Sequence, residues 1–358
     1  MRIVITGATG NVGTALLHAL EPGDDELIGV ARRLPDTTAA PYRAAAWSAM
    51  DLGDDVGRAK LTDLVEGADA VVHLAWAISP ERGDPPMWRT NDHGTRNVLA
   101  AVAAAGVPHL VVMSSVAAYG PAPRWKKVTE DWPREGIPTS AYSRGKAGLE
   151  ALLDRFEATH PETAVARLRP CAILQRRAAG EFERWLLGPA VPAGVVGRRW
   201  LPLPLWTELR AQAVHSADVA EAIRLVLARR FTGAVNLAAP GVLDADALAG
   251  LLGGLRVPAP RSLVRVAAHA AWRTGALPLH PGWLDLADGA PLVDTTLAET
   301  TLGWKPEHDA ASVVAELVAG LRSGEGAASA PLAPPRGHDL LARLRSLARG
   351  RPSHQSQS

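Results

Sequence analysis

The chain has 358 residues, of which 47% are hydrophobic and 21% are charged, a composition typical of a globular protein with a sizeable core. A net charge of +1 argues against a general electrostatic binder of nucleic acid. Cys171, the single cysteine, excludes an intrachain disulfide framework and fits a reducing compartment. With neither a secretory leader nor a run of about 18 uncharged apolar residues, the sequence predicts a cytoplasmic protein without a membrane span.

The N-terminus has the pattern of a dinucleotide-binding unit. Residues 2–6 form a β-branched run typical of a buried parallel strand, and Gly7, Gly10 and Gly13 follow it with the spacing Gly-x-x-Gly-x-x-Gly. Residues 15–20 then predict a helix. Glycines allow a tight turn and close approach of a pyrophosphate, and the helix N-terminus provides free N–H groups and a positive dipole end. The alternative is a purely structural turn.

The second predicted strand, residues 26–31, ends at Arg32 and Arg33. In dinucleotide-binding folds, an acidic residue at this place binds the ribose 2′-hydroxyl, whereas an arginine accommodates a 2′-phosphate. Asp36 follows Pro35 and lies too far along the chain for the acidic role. The sequence therefore favours NADP over NAD, and the alternative is that both arginines are solvated loop charges.

A later strand and helix carry the candidate catalytic groups. Residues 107–115 read as a core strand with Ser114 and Ser115 at its C-terminal end, where ligands bind in open α/β sheets. Tyr142 and Lys146 are four residues apart at the start of a predicted helix that runs to about His160, so they share one helix face.

These residue types suit proton transfer coupled to hydride transfer. Free tyrosine titrates near a pKa of about 10, and a neighbouring ammonium together with a cationic nicotinamide ring would lower that pKa. Tyr142 would then exchange a proton with a substrate hydroxyl or carbonyl, Ser115 would hydrogen-bond the same oxygen, and Lys146 would reach the nicotinamide ribose. The alternative is a half-buried tyrosine beside a solvated lysine.

Taken together, these motifs resemble the extended short-chain dehydrogenase/reductase superfamily, also described as the NAD(P)-dependent epimerase/dehydratase family, over about residues 1–321. The resemblance extends to segments 71–75, 91–99, 169–171, 214–220 and 302–306. It selects Ser115, not Ser114, as the catalytic serine beside Tyr142 and Lys146. The cofactor-binding residues that the motifs and the resemblance imply are Gly7, Thr9, Gly10, Asn11, Val12, Gly13, Arg32, Arg33, Asp51, Leu52, Leu74, Ala75, Trp76, Asn91, Tyr142, Lys146 and Pro170.

Two positions depart from the family pattern. Val116 and Ala117 stand where sugar-nucleotide dehydratases carry an Asp-Glu pair, which argues against a dehydratase because elimination of water needs an additional acid and base. Gly145 stands where family members often have serine or alanine. It lowers local helix propensity by up to about 1 kcal/mol but removes no catalytic group.

The predicted fold is α/β, a Rossmann-type doubly wound parallel sheet with a smaller C-terminal substrate-binding lobe. We predict a core over residues 1–175, a lobe interleaved with late Rossmann elements over 176–322, and a disordered basic tail over 323–358. The strands are expected to begin near residues 2, 26, 44, 69, 108 and 163, with later helices at about 219–228, 244–253, 260–274 and 309–322. Asp218 and Glu221 form a candidate capping box.

Other residues are candidates for substrate contact. Six tryptophans could make the substrate pocket more apolar than a sugar site, and Arg198, Arg199 and Arg210 could bind a phosphate or carboxylate. No metal site is predicted, because His73, His109 and His215 match no metal-ligand spacing; His215 is a weak candidate for substrate contact. The six tryptophans are Trp76, Trp125, Trp132, Trp185, Trp200 and Trp206.

The predicted activity is an NAD(P)-dependent hydride transfer between a small-molecule secondary alcohol and its ketone. A sugar or sugar-nucleotide epimerase with retained NAD shares the same residues, and a dinucleotide-binding sensor or scaffold is the alternative of another class. Family members often dimerise through the helices that carry Tyr142 and Asn91, so a homodimer is compatible with the sequence, and the basic tail could contact a membrane surface.

Overall fold

Seven parallel strands form the central sheet of this computed structural model, which describes residues 1–21, 23–78, 85–187, 196–198, 200–277 and 280–334. The strands are β1 (Arg2–Thr6), β2 (Glu26–Ala31), β3 (Ala46–Ala49), β4 (Ala70–His73), β5 (His109–Met113), β6 (Lys127–Val128), β7 (Ala164–Pro170), β8 (Ala172–Leu174), β9 (Pro202–Leu205), β10 (Arg210–Ala211), β11 (Ala213–His215), β12 (Gly233–Leu237), β13 (Leu243–Asp244), β14 (Leu255–Pro258) and β15 (Leu292–Val293).

Helices cover both faces of this sheet. They are α1 (Asn11–Leu20), α2 (Asp55–Val65), α3 (Pro85–Trp88), α4 (Gly94–Ala104), α5 (Ala141–Thr159), α6 (Ala179–Phe182), α7 (Ser216–Arg229), α8 (Ala245–Leu251), α9 (Arg261–Thr274), α10 (Gly282–Gly289), α11 (Thr296–Leu302) and α12 (Ala310–Ser323). One buried layer joins α1 and α7 to the sheet, and the other joins α2, α4 and α5 to its opposite face.

The strand order of the sheet is β12-β7-β5-β4-β1-β2-β3. The chain runs outward from β1 through β2 to β3, then returns to the other side of β1 with β4, so the order reverses between β1 and β4. These two strands pair in parallel up to Thr6 and His73 at their carboxyl ends. This strand order confirms the predicted fold class. Ligands of doubly wound sheets bind at such a reversal point.

The predicted strands begin within two residues of their observed positions. Most of them are buried runs that contain β-branched residues, whereas β3 contains none and has a single buried residue. The prediction of a capping box at Asp218 is wrong. The helix begins three residues earlier than predicted, at Ser216, and the side chain of His215 accepts the capping hydrogen bond from the N–H of Ala217. The Asp218 carboxylate instead accepts hydrogen bonds from the N–H groups of Glu307 and His308.

The predicted disordered tail is wrong for its first part. Residues 325–334, which we call the C-terminal strap, fold back onto the glycine turn. The Ser329 hydroxyl donates to the carbonyl of Thr9 at 2.9 Å, and the N–H of Asp36 donates to the carbonyl of Ala328 at 3.0 Å. Leu332 is completely buried. The apolar burial of this leucine explains the ordering of a segment whose composition is otherwise typical of a mobile linker; the basic stretch over 339–349 lies outside the described residues.

None of the described helices is both long enough and apolar enough to cross a membrane. Cys171 is buried, and burial raises the pKa of its thiol, as expected for a packed small residue. The homodimer and the cytoplasmic location stay predictions.

Candidate active site

The glycine turn after β1 packs too closely for any side chain. Gly7 has a φ of 70°, and a Cβ there would lie 2.6 Å from the backbone nitrogen of Ala75. A Cβ at Gly13 would lie 2.5 Å from the carbonyl oxygen of Gly7. Gly10 caps α1 without a side chain, so no capping oxygen competes for the first N–H groups of the helix. The turn therefore presents backbone donors and a helix N-terminus, which together favour an anionic ligand.

A cavity extends from this turn along the carboxyl ends of β1, β2 and β4. Arg32 and Arg33 are exposed at its rim, at the end of β2. The Asp51 carboxylate lies 3.2 Å from the guanidinium of Arg89 and accepts a hydrogen bond from the N–H of Gly53. Ten of the predicted cofactor residues line this cavity: Gly7, Thr9, Gly10, Arg32, Arg33, Asp51, Leu52, Leu74, Ala75 and Trp76.

Other predicted cofactor residues do not line the cavity, and three of them hold its walls in place. The amide of Asn11 donates to the carbonyl of Ile173 and accepts from Gln175, while Val12 is buried in the core. Asn91 bonds both the N–H and the carbonyl of Ala77, at 2.7 and 2.9 Å, which positions the chain directly after β4. The others are Gly13, Tyr142, Lys146 and Pro170.

Sequence reasoning missed seven residues of the cavity wall, namely Val30, Ala31, Met50, Ala77, Thr90, Glu181 and Pro331. Glu181 belongs to α6, and burial raises the pKa of its carboxyl to about 7. Pro331 belongs to the C-terminal strap. Nothing in the sequence links α6 or the strap to the glycine turn, because the contact joins segments that are about 170 and 320 residues apart.

The two serines at the end of β5 have different environments. Ser114 donates a hydrogen bond to Glu150 at 2.5 Å, and Glu150 forms a buried bidentate pair with Arg169, at 2.8 and 2.9 Å. Burial opposes ionisation of Glu150, but the hydrogen bond and charge of Arg169 prevail and lower its pKa to about 2. Ser115 instead accepts a hydrogen bond from the N–H of Ala117 at 3.1 Å and donates to the carbonyl of Pro170 at 3.4 Å, and it lies beside the Tyr142 phenol. Ser114 is thus held by Glu150, whereas Ser115 stays the predicted partner of Tyr142.

The start of α5 is held against the turn that follows Ser115. The Ser143 hydroxyl donates to the carbonyl of Ala117 and accepts from the N–H of Ile137, both at 2.6 Å. Ser140 caps the helix by accepting from the N–H of Ser143. This fixed helix start places Tyr142 beside Ser115, although only the spacing of Tyr142 and Lys146 was visible in the sequence.

Lys146 is almost fully buried, with 2% of its surface exposed, and its ammonium donates to the carbonyl of Met113 at 2.8 Å. Burial lowers the pKa of Lys146 to about 7, against the opposing charge of Glu150. The expected lowering of the Tyr142 pKa is absent in the protein alone. Burial raises that pKa to about 12, although the hydrogen bond from Ser115 opposes the rise. The Lys146 ammonium faces Met113 and an indole ring, and lies 5.9 Å from the centre of the Tyr142 ring.

That indole belongs to Trp76. Its ring centre lies 3.5 Å from the Lys146 ammonium nitrogen, within the range of a cation–π contact. A Cβ at Gly145 would lie 3.3 Å from this indole, so the glycine that departs from the family pattern makes room for Trp76. Among the residues that the structure describes, the buried indole N–H has no hydrogen-bond partner.

The remaining candidates do not converge on this centre. Arg210 donates to the carbonyls of Asp288 and Ala290, Arg198 is exposed, and Arg199 lies outside the described residues. Trp125 and Trp200 are more than half exposed, and Trp206 is buried against Asp288.

The histidines considered earlier are held by protein groups. His73 is hydrogen-bonded to Thr6 and Thr95, and burial lowers its pKa to about 3. His215 stacks on His308, and these two rings and Glu316 bring ligand atoms within 4.8 Å of one another. However, Nδ1 of His215 accepts from a backbone N–H, which leaves the proton of the neutral ring on Nε2, the nitrogen that faces Glu316. This arrangement suits stacked rings with a charge contact to Glu316 better than a metal site.

Comparison with known proteins gives one family match. Residues 3–238 match the model of the NAD dependent epimerase/dehydratase family. A solved UDP-glucose-4-epimerase of Stenotrophomonas maltophila, with bound NAD and formylated UDP-arabinopyranose, superposes with a TM-score of 0.66 at 21% identity, covering 90% of this chain and 98% of that chain. At this identity, the likeness concerns the fold.

Several curated relatives cover most of the chain. An uncharacterized protein of Mycobacterium tuberculosis is 28% identical over 91% of this chain but only 31% of its own length, so the chain spans about a third of this relative. A dTDP-6-deoxy-L-talose 4-dehydrogenase (NAD(P)(+)) of Kitasatospora kifunensis is 29% identical over 88% of this chain and 94% of its own length.

Proposed function

The chain belongs to the NAD dependent epimerase/dehydratase family, and on that premise we propose that it transfers a hydride between NAD(P) and a small-molecule secondary alcohol or ketone. The observation that carries the proposal is that Ser115, Tyr142 and Lys146 lie together at the carboxyl end of β5, with the Lys146 ammonium 5.9 Å from the centre of the Tyr142 ring, in the same fold as the glycine-turn cavity. The dehydrogenase relative, which is similar over nearly its whole length, acts with NAD(P)(+) and supports this reaction class.

The residues of the cavity fit a dinucleotide. Because Gly7 and Gly13 lack a Cβ, the turn packs tightly against Ala75 and against its own backbone, which is the compact shape that lets a pyrophosphate approach the main chain closely. The N-terminus of α1 would stabilise its negative charge. Arg32 and Arg33 offer a cationic rim where a ribose 2′-phosphate would lie, so we propose that NADP is preferred over NAD.

When bound, the dinucleotide supplies or accepts the hydride. In the reductive direction, Tyr142 donates its hydroxyl proton to the substrate oxygen as the carbonyl carbon gains the hydride, and it regains a proton from solvent afterwards. Ser115 hydrogen-bonds the same oxygen and fixes its position. The Lys146 ammonium stabilises the tyrosinate that remains, and its buried location strengthens this charge effect.

The cofactor preference is tested by titrating the protein with NADPH and NADH while following nicotinamide fluorescence. We expect tighter binding of NADPH, and we expect Arg32→Ser with Arg33→Ser to weaken NADPH binding about tenfold or more while NADH binding changes little. The exposed Arg224, which is paired with Glu221 on α7, serves as the control position. Equal affinities for the two nucleotides in the wild type would contradict the NADP preference.

One observation favours an epimerase that retains its cofactor. Pro331 of the C-terminal strap lines the cavity, and Ser329 bonds the glycine turn itself, so the strap would slow nucleotide exchange. Net oxidation of added NADPH distinguishes the two reactions, because an epimerase returns the hydride to its own substrate. We therefore expect a reductase to consume NADPH stoichiometrically with a ketone, and an epimerase to show no net change in absorbance.

A further inference from the structure

Two indole rings flank the candidate catalytic tyrosine. The Trp283 ring lies against the Tyr142 ring with a centre-to-centre distance of 4.9 Å and an interplanar angle of 31°. Trp76 meets Tyr142 edge-on, at 6.5 Å and 84°. One indole follows β4 and the other belongs to α10, so two distant segments bring aromatic surface to the same phenol.

Trp283 is held firmly in this position. A Cβ at Gly282 would lie 2.6 Å from the carbonyl of Thr139, so α10 begins in direct backbone contact with the residues that precede the Tyr142 helix. At the other end of α10, a Cβ at Gly289 would lie 3.0 Å from Ile137. These two close approaches fix the helix on which Trp283 stands, and with it the spacing between the indole and Tyr142.

The surroundings of this ring pair are apolar. Ala117, Ile137 and Leu286 form a buried cluster, and the partly buried Tyr142 and Trp283 pack against it. Aliphatic and aromatic groups thus form the described wall beside the phenol on the α10 side. Such a wall stabilises an apolar or planar group and contributes nothing to the recognition of sugar hydroxyls.

The nearby cations are already engaged. Arg124 donates to the Asp288 carboxylate and the Glu208 carbonyl, while Arg210 donates to two backbone carbonyls. Arg261 contacts Asp285 and Asp288, and Arg265 contacts Asp285. A diphosphate would have to displace these contacts from any of the four arginines, whereas an uncharged substrate would leave them intact.

We propose that the substrate carries a planar aromatic or conjugated group next to the reacting carbonyl or alcohol carbon, and no diphosphate. This inference rests on the proposed hydride transfer and names its substrate class. The planar group lies against the indole of Trp283, and the reacting oxygen meets the Tyr142 hydroxyl. The reaction gives the aryl carbinol by adding one hydride from NAD(P)H to carbon and one proton from Tyr142 to oxygen.

The test compares two ketones that share one skeleton, acetophenone and cyclohexyl methyl ketone, with NADPH as the hydride source. The measured quantity is the ratio of their kcat/KM values, aryl over saturated. We expect Trp283→Leu to lower this ratio about two- to tenfold relative to the wild type, the range of one aromatic contact, and Trp283→Phe to keep most of it. Comparison between variants cancels the different intrinsic reactivities of the two ketones.

Trp125→Leu is the matched control, because Trp125 is 55% exposed and should leave the ratio unchanged. A ratio that Trp283→Leu does not move, or no turnover of acetophenone by protein that binds NADPH, would overturn the substrate class. So would a higher kcat/KM, dependent on Tyr142, for epimerisation of UDP-glucose or for its oxidation by NADP+, a result that leaves the hydride transfer itself standing. A protein that binds neither NADPH nor NADH would instead overturn the proposed function.

Discussion

The glycine turn and the surroundings of Tyr142 are built in different ways. The turn is built from backbone, with three glycines within seven residues, of which Gly7 packs against the chain after β4 and Gly13 against the turn itself. The surroundings of Tyr142 are assembled from side chains of distant segments, including Ser115, Trp76 and Trp283. A backbone site is encoded by local spacing, whereas a side-chain site depends on how several elements pack, and this second kind can vary while the fold stays the same.

The largest expected effect concerns the phenol at the centre of the side-chain site. We expect Tyr142→Phe to lower turnover by about 10²–10⁴-fold, because the proton donor is lost. NADPH affinity should change little, since the glycine turn is untouched. Steady-state rates and a fluorescence titration on the same preparation measure the two quantities. Unchanged turnover would contradict the assignment of Tyr142.

Glu150 lies behind the site, and we expect it to contribute to the stability of the fold. Glu150→Gln leaves Arg167 and Arg169 buried without their shared carboxylate, so we expect the free energy of unfolding to fall by about 3–5 kcal/mol. Glu221→Gln, which breaks an exposed pair with Arg224, should cost at most about 1 kcal/mol. Urea denaturation measures the free energy of unfolding of the two variants. Equal decreases would show that the buried network stabilises the fold no more than the exposed pair.

The same carboxyl predicts a pH dependence. Because the folded state holds the pKa of Glu150 at about 2, below its usual value near 4.5, the pair stabilises the fold above about pH 4.5 and loses this contribution as the pH falls towards 2. The wild type should therefore lose stability across that window more steeply than Glu150→Gln. If the free energy of unfolding falls with the same slope against pH in both proteins, the pKa of Glu150 is not lowered by folding.

A smaller effect is expected at the C-terminal strap. A chain ending at residue 324 lacks the Ser329 and Leu332 contacts with the body, and a chain ending at residue 334 keeps them. We expect the shorter chain to release NADPH about tenfold faster, equivalent to about 1.4 kcal/mol, and the longer one to behave as the full protein. Stopped-flow displacement measures the release rate. Identical rates in the two truncated chains would show that the strap does not close the cavity.

The smallest effect tests the match between Gly145 and Trp76. In the wild type, Gly145→Ala raises helix propensity but brings a methyl group against the indole of Trp76. In a Trp76→Leu background, only the gain in the free energy of unfolding from helix propensity, about 0.5–1 kcal/mol, should remain. A double-mutant cycle of thermal unfolding measures the coupling. Additive effects of the two substitutions would mean that the glycine is unrelated to the indole.

The sequence predicted what depends on periodicity and short spacing. The strands of the sheet, the glycine turn and the pair of Tyr142 and Lys146 all follow from patterns within about ten residues. Trp283, Glu181 and Pro331 were not found, because each reaches its site through contacts between distant segments. The pKa of Tyr142 was expected in the wrong direction for the protein alone, since spacing reveals the neighbouring lysine but not the burial of the phenol.

In the proposed mechanism, the backbone turn holds the dinucleotide that is used at Tyr142. The most direct measurement is an NADPH titration of the wild type, Gly13→Ala and Gly148→Ala. A Cβ at Gly13 would lie 2.5 Å from the carbonyl oxygen of Gly7, whereas a Cβ at Gly148, in the Tyr142 helix, meets nothing within 4 Å. We predict binding by the wild type and Gly148→Ala and a loss of at least about a hundredfold in a folded Gly13→Ala protein. Equal affinity in all three proteins would contradict the account.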